Sequence, residues 1–159
     1  MRRPEANKIG ALYAQLIDEA LQFRIANRRR SEIIELEAQV LFSAMEDQRG
    51  TMVRRYWPLP LERNKVTFFP LSWTIVHPID KTSPLAGKTR EELEAKHAEI
   101  LVLLSGIDET FEQTVHARSS YRIDEVVWNA RFQSMFVTTD EEADVSVDVN
   151  LLHEIEPAV

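Results

Sequence analysis

From Ile33 to Phe42 the chain alternates: Ile34, Leu36, Ala38, Val40 and Phe42 fall on one side, Glu35, Glu37 and Gln39 on the other. A repeat of two is the geometry of a pleated strand, so this stretch predicts a strand with one buried and one polar face. Glu46-Asp47-Gln48-Arg49-Gly50 carries turn chemistry, and Thr51 to Trp57 can return as the partner of a hairpin that Pro58 and Pro60 stop. The densest apolar stretch, Trp73 to Ile79, is rich in β-branched and aromatic side chains and is punctuated by Pro70, Pro78 and Pro84. It predicts a core strand with imposed ends, followed by a rigid polar turn.

Further along, Ala98 to Ile107 reads as a buried strand, Gly106 to Thr110 as a turn, and Phe111 to Tyr121 as a long strand. Val126 to Val137 and Val145 to Leu152 add two more, separated by the acidic loop Thr139 to Asp144. Helical spacing occurs twice. Ile9, Leu12, Tyr13, Leu16, Ile17 and Leu21 fit an amphipathic helix over residues 7–21. Thr89-Arg90-Glu91-Glu92 is a capping-box pattern opening a short helix through about His97, with Glu92 and Lys96 spaced as an i,i+4 pair. Many closely spaced strands with so little helix predict an all-β fold. The specific expectation is an immunoglobulin-like antiparallel β-sandwich with one or two short helices. Ile34, Leu36, Val40, Trp73, Ile75, Val102, Leu104, Val115 and Trp128 are its expected core.

Composition narrows the class without changing the fold. At 159 residues and 44% hydrophobic content the chain suits one domain with a real core. Without cysteine there is neither a disulfide scaffold nor a thiolate metal site. The net charge of −7 is uneven, because residues 1–30 hold seven basic against three acidic side chains and the remainder is strongly acidic. That balance argues against a nucleic-acid partner. Met1-Arg2-Arg3 runs into Pro4-Glu5, so no secretory signal is expected there. The longest apolar run, Ile100 to Leu104, is far short of the roughly 20 residues of a membrane helix.

Candidate chemistry is sparse. Gly87-Lys88-Thr89 lacks the first glycine of a P-loop, since that position is Thr82. His77, His97, His116 and His153 lack metal-ligand spacing, and Asp140, Glu141, Glu142 and Asp144 do not match a calcium loop. No Ser-His-Asp set stands out. Neither an enzyme nor a cofactor is expected. The paired carboxylates Glu35 and Glu37 admit two readings: a solvated sheet face, or an acidic surface that concentrates cations by focusing the field.

Four segments, in order, carry a family resemblance. Leu21 to Glu35, "LQFRIANRRRSEIIE", resembles "L-x-x-R-x-A-N-x-R" with its following glutamate. Phe68 to Leu85 contains "SWT-x-x-H-x-I-D-x-x-SPL", Ala117 to Arg131 reads "ARSSYRIDEVVWNAR", and Asp148 to Glu154 reads "DVNLLHE". These resemble the cytoplasmic domain of inward-rectifier potassium channels, especially the prokaryotic ones. Asn129-Ala130 departs from the family's Gly-His after the tryptophan, and neither membrane helices nor a TVGYG-type filter occur in this sequence.

The resemblance implies an immunoglobulin-like sandwich over residues 21–159, assembled as a homotetramer around a cytoplasmic extension of the pore, with residues 1–20 as a linker or first strand. It implies two strands in place of the helix near the start, turning near Asp18-Glu19. By residue match, Glu35 and Glu125 fall on pore-facing acidic positions met by potassium ions and polyamines. Arg29 falls on a basic position near the membrane interface, and Arg2 and Arg3 lie in the corresponding linker, where anionic lipid would be the partner. The implied location is the cytoplasmic face of the membrane. The alternative is a soluble interaction module of the same fold that serves no channel.

Overall fold

The computed structural model describes residues 13–17, 20–28, 31–69, 72–138 and 145–157. Two sheets carry most of them. The first has the order β6-β2-β1-β9, from β1 (Tyr13–Ile17), β2 (Ala20–Ala26), β6 (Ser72–Pro78) and β9 (Val127–Trp128). The second runs β4-β3-β7-β8, from β3 (Ile33–Gln48), β4 (Thr51–Pro58), β7 (Glu99–Asp108) and β8 (Gln113–Arg122). A short β5 (Lys65–Phe68) also pairs with β3. All pairings are antiparallel except β1 with β9. One core lies between the sheets: Leu21, Phe23, Ile25, Trp73 and Ile75 from the first meet Leu36, Val40, Ile100, Val102 and Leu104 from the second. The Phe23 and Tyr121 rings, 5.9 Å apart, join the layers. Burying each such aliphatic or aromatic side chain contributes roughly 1.5–3 kcal/mol, which is why the two apolar faces close on each other.

Of the helix expected over residues 7–21, residues 7–12 lie outside the described residues, and Tyr13–Ile17 forms a strand paired with β2 instead. β1 pairs with β2 from Tyr13↔Arg24 to Ile17↔Ala20. The helical spacing loses because β2 finds a seven-residue partner in β6, a ladder that no local helix could replace.

Strand β3 keeps the predicted alternation from Leu36 onward and breaks it just before. Its register against β7 shifts between Ile34 and Glu37, so Glu35 and Leu36 together face Gly106. This is a β-bulge, with Glu35 in the left-handed region at φ 50. Ile33 and Leu36 therefore both enter the core, and Ile34, expected there, is only half-buried. Gly106 makes room for them: a Cβ on it would stand 2.8 Å from Ile33 Cγ2 and 3.2 Å from Leu36 Cδ1. Gly106 is consequently inside β7, and the expected turn lies later, after Asp108. The buried Asp108 carboxylate builds that turn, accepting from the amides of Thr110 (3.1 Å) and Phe111 (3.3 Å) and from Ser31 Oγ (2.7 Å). The β3–β4 hairpin turns through Arg49 and Gly50, both at positive φ, the geometry that matches the strands' own twist.

His77 explains the central stretch. Its Nδ1 donates to the Pro60 carbonyl at 2.6 Å, which leaves Nε2 to accept from Ser83 Oγ at 2.8 Å. Asp80 Oδ1 accepts from Thr82 N and Oγ1, and these bonds, the side-chain one first, hold its carboxyl below the ordinary range. The histidine, aspartate and serine thus fix a loop against the end of β6.

Helix α1 (Arg90–Ala95) has the predicted capping box, Thr89 Oγ1 accepting from Glu92 N and Glu92 Oε2 accepting from Thr89 N. The cap, then the charges of Lys88 and Lys96, lower the pKa of Glu92, while the i,i+4 ion pair in contact is Arg90–Glu94 at 2.8 Å.

The expected strands at 126–137 and 145–152 are broken up. β9 is followed by β10 (Ala130–Phe132), β11 (Phe136–Thr138) and β12 (Val145–Val147), then a 3-10 turn at Val149–His153 and β13 (Ile155–Pro157). Trp128, expected in the core, is half-buried against it. The buried Arg24 of β2 holds this region, donating from Nη1 to the Gln133 carbonyl and from Nη2 to the Leu151 carbonyl at 3.1 Å, with the Phe132 ring 4.9 Å from the guanidinium. Desolvation lowers its pKa.

Candidate functional site

Opposite residues of an antiparallel ladder share a face, so the registers assemble the outer surface of the second sheet. Lys65 faces Glu37, Glu37 faces Ser105, and Ser105 faces His116, a polar row across β5, β3, β7 and β8. On one flank Ile34 faces both Phe68 and Ile107, and the latter two are exposed. On the other, Leu103 stands between Gln39 and Arg118.

The bulge decides what joins the row. Glu35, placed by its left-handed backbone, meets the Lys65 ammonium in an ion pair. The Glu35 hydrogen bond, then its charge, and finally that of Glu37 raise the pKa of Lys65, so the lysine stays protonated. The local balance of Glu35, Glu37 and Lys65 is one net negative charge, where the sequence pattern suggested two. Lys65 was not legible beforehand, because it stands in a loop-like stretch after Pro58 and Pro60 and only the β3–β5 register brings it to Glu37.

Glu125 lies elsewhere. It ends a 3-10 turn at Ile123–Glu125, is exposed, and accepts the Arg122 amide at 2.8 Å through Oε2. Arg122 faces Glu99, which faces Ser43, eight residues beyond Glu35 on β3. At about 3.3 Å per strand residue, the Arg122 end of the sheet is roughly 26 Å along the strand direction from Glu35, and Glu125 follows in the turn beyond it. The structure does not bring the two glutamates together. Near Glu125 a cleft of about 470 Å³ is lined by Arg54, His97, Glu99, Arg122 and Asp124. Two of its ion pairs are internal, Arg122 with Asp124 at 2.7 Å and Arg54 with Glu99 at 4.0 Å, while Glu94, which also lines it, pairs with Arg90. Arg2, Arg3 and Arg29 lie outside the described residues, as does the acidic loop 139–144.

Among the described residues no cluster of His, Cys, Asp or Glu could hold a metal ion, and no helix is long and apolar enough to cross a membrane. The described residues thus form an all-β sandwich whose second sheet carries, on its outer face, carboxylates partly balanced by a lysine. Residues 17–158 match the family described as the inward rectifier potassium channel C-terminal domain, and the chain belongs to that family. It is 41% identical over 136 residues to the inward rectifier potassium channel Kirbac3.1 of Paramagnetospirillum magnetotacticum, an alignment covering 85% of this chain and 46% of that protein. It is 36% identical over 143 residues to human inward rectifier potassium channel 4, covering 84% and 31% respectively. With the mouse ATP-sensitive inward rectifier potassium channel 12 the identity is 33% over 141 residues, covering 84% and 32%. The chain spans less than half the length of these relatives, and each is named as a channel, not as an enzyme.

Proposed function

We propose that this chain is the cytoplasmic domain of an inward-rectifier potassium channel, assembling as a homotetramer about an aqueous passage and contributing to gating and permeation. The observation that supports this most directly is the polar row at the bulge, within a chain of this family. Glu35 and Glu37 would face the passage, where repeated carboxylates between low-dielectric walls raise the local concentration of potassium ions and polyamines. Arg2, Arg3 and Arg29 would meet anionic lipid, and the domain would sit at the cytoplasmic face of the membrane.

Glu125 enters as a separate level. The Debye length at physiological salt is about 8 Å, so charges at opposite ends of a ladder roughly 26 Å long are screened from one another. Its carboxylate also already accepts the Arg122 amide. Glu35 has its own partner in Lys65, but it also has a second carboxylate, Glu37, on the same face, so the larger effect is expected at Glu35. Spermine titrations of the wild type, Glu35→Gln and Glu125→Gln at two salt concentrations test this, alongside light scattering for assembly. Losing one exposed charge pair per copy should weaken binding up to about fivefold for Glu35→Gln, and less for Glu125→Gln. Equal affinity in all three proteins would remove the pore-facing assignment. A monomer at every accessible concentration would remove assembly of the chain by itself.

A further inference from the structure

We infer that Lys65 is a tethered counter-ion that sets how tightly the Glu35–Glu37 face holds soluble cations. This rests on the proposal that the face meets an aqueous cation passage, and it adds what the carboxylates alone do not explain.

The geometry is built, not incidental. Lys65 opens β5, whose Val66 is buried against the core, and the preceding residue is pinned because the Asn64 carbonyl accepts the Ala38 amide at 2.7 Å. The lysine is directly across from Glu37 and diagonal to Glu35. A diagonal pair, roughly 7–8 Å apart at the backbone, is within reach of a long side chain. The ammonium bonds Glu35, and both side chains remain partly exposed, at 50% and 38%. The pair is therefore open to exchange with ions from solvent.

A tethered ammonium competes with diffusible cations at the high effective concentration that any short covalent link provides. A monovalent ion must displace an equal charge and gains little. A polyamine brings several ammonium groups and can engage Glu37, or carboxylates of other copies, while it displaces Lys65. The surface would then let potassium ions pass without holding them, and would retain only multivalent amines, less tightly than bare carboxylates would. Had the position been neutral, Glu35 and Glu37 would form an unshielded pair with no internal cation against which to discriminate.

The test compares spermine affinity and stoichiometry in the wild type, Lys65→Met, Lys65→Gln, Lys65→Arg and Glu35→Gln at low and physiological salt. Two neutral variants are included so that loss of fold in one does not end the comparison, and each is checked by its thermal melt. Removal of the counter-ion should tighten spermine binding about two- to fivefold at low salt, with Lys65→Arg behaving as the wild type. The gain should shrink at higher salt as screening increases. Tighter binding with one spermine shared among several chains upholds both the counter-ion and the passage. Tighter binding with one spermine per chain upholds the counter-ion and removes the shared passage. Unchanged affinity in both neutral variants, while Glu35→Gln still weakens binding, overturns the role of Lys65 and leaves the passage standing. If no substitution, Glu35→Gln included, alters binding, both ideas fall.

Discussion

The second sheet and the C-terminal stretch from Ile123 to Pro157 are built in opposite ways. In the sheet, β3, β7 and β8 are strands of 16, 10 and 10 residues in long ladders, and apart from the bulge at Glu35 their side chains largely alternate between core and outer face. The C-terminal stretch has no described strand longer than 3 residues and uses two 3-10 turns. It is held by a small second cluster of Ala26, Met135 and Leu152, and by Arg24 reaching across from β2. Local pattern suffices where a strand has partners along its whole length. Where the chain is fastened at points, the partners are distant in sequence and their spacing carries no period.

The largest expected effect breaks the sandwich itself. Trp73 is buried between the sheets, so Trp73→Ala should cost roughly 3–5 kcal/mol in stability, read from thermal or denaturant unfolding. A nearly unchanged melt would remove it from the core.

The bulge supplies a sharper contrast between neighbours. Ile33 is 1% exposed and Ile34 half-buried on the outer side. Ile33→Ala should cost about 2–5 kcal/mol, and Ile34→Ala well under half as much. The reverse order would mean that simple alternation continues through Glu35 and that no phase change occurs there.

The smallest of the three concerns the latch. Arg24→Met keeps length and apolar bulk but leaves the Gln133 and Leu151 carbonyls without their donors, a loss of about 1–3 kcal/mol. Hydrogen exchange should show lost protection at residues 130–138 and 145–157 while the amides of β3 and β7 keep theirs. Uniform loss across the chain would make Arg24 part of the global core instead of a local fastening.

These contrasts separate what could be read from what could not. The β3–β4 hairpin, the core strand at Trp73–Ile75 and the capping box at Thr89 were legible, because period two, turn residues and cap chemistry act within a few residues of one another. The pairing of β1 with β2 was obscured, since Leu12, Leu16 and Ile17 fit a helical spacing as well as a strand and only pairing with β6 settles β2. The candidate site was half legible. Glu35 and Glu37 stand out in the sequence, but the pattern implied an unshielded acidic pair.

What the sequence determined alone is the all-β class, the two-faced character of β3 and the membership in a family of channel domains, all fixed by residue order at short range. Tertiary structure alone decided that Gly106 lets Ile33 and Leu36 close over a bulge, and that the bulge turns Glu35 toward Lys65. It also decided that Glu125 stands at the far end of the sheet. Each of these depends on which residue faces which across a ladder, and a one-residue shift in register alters that partnership without changing a letter of the sequence.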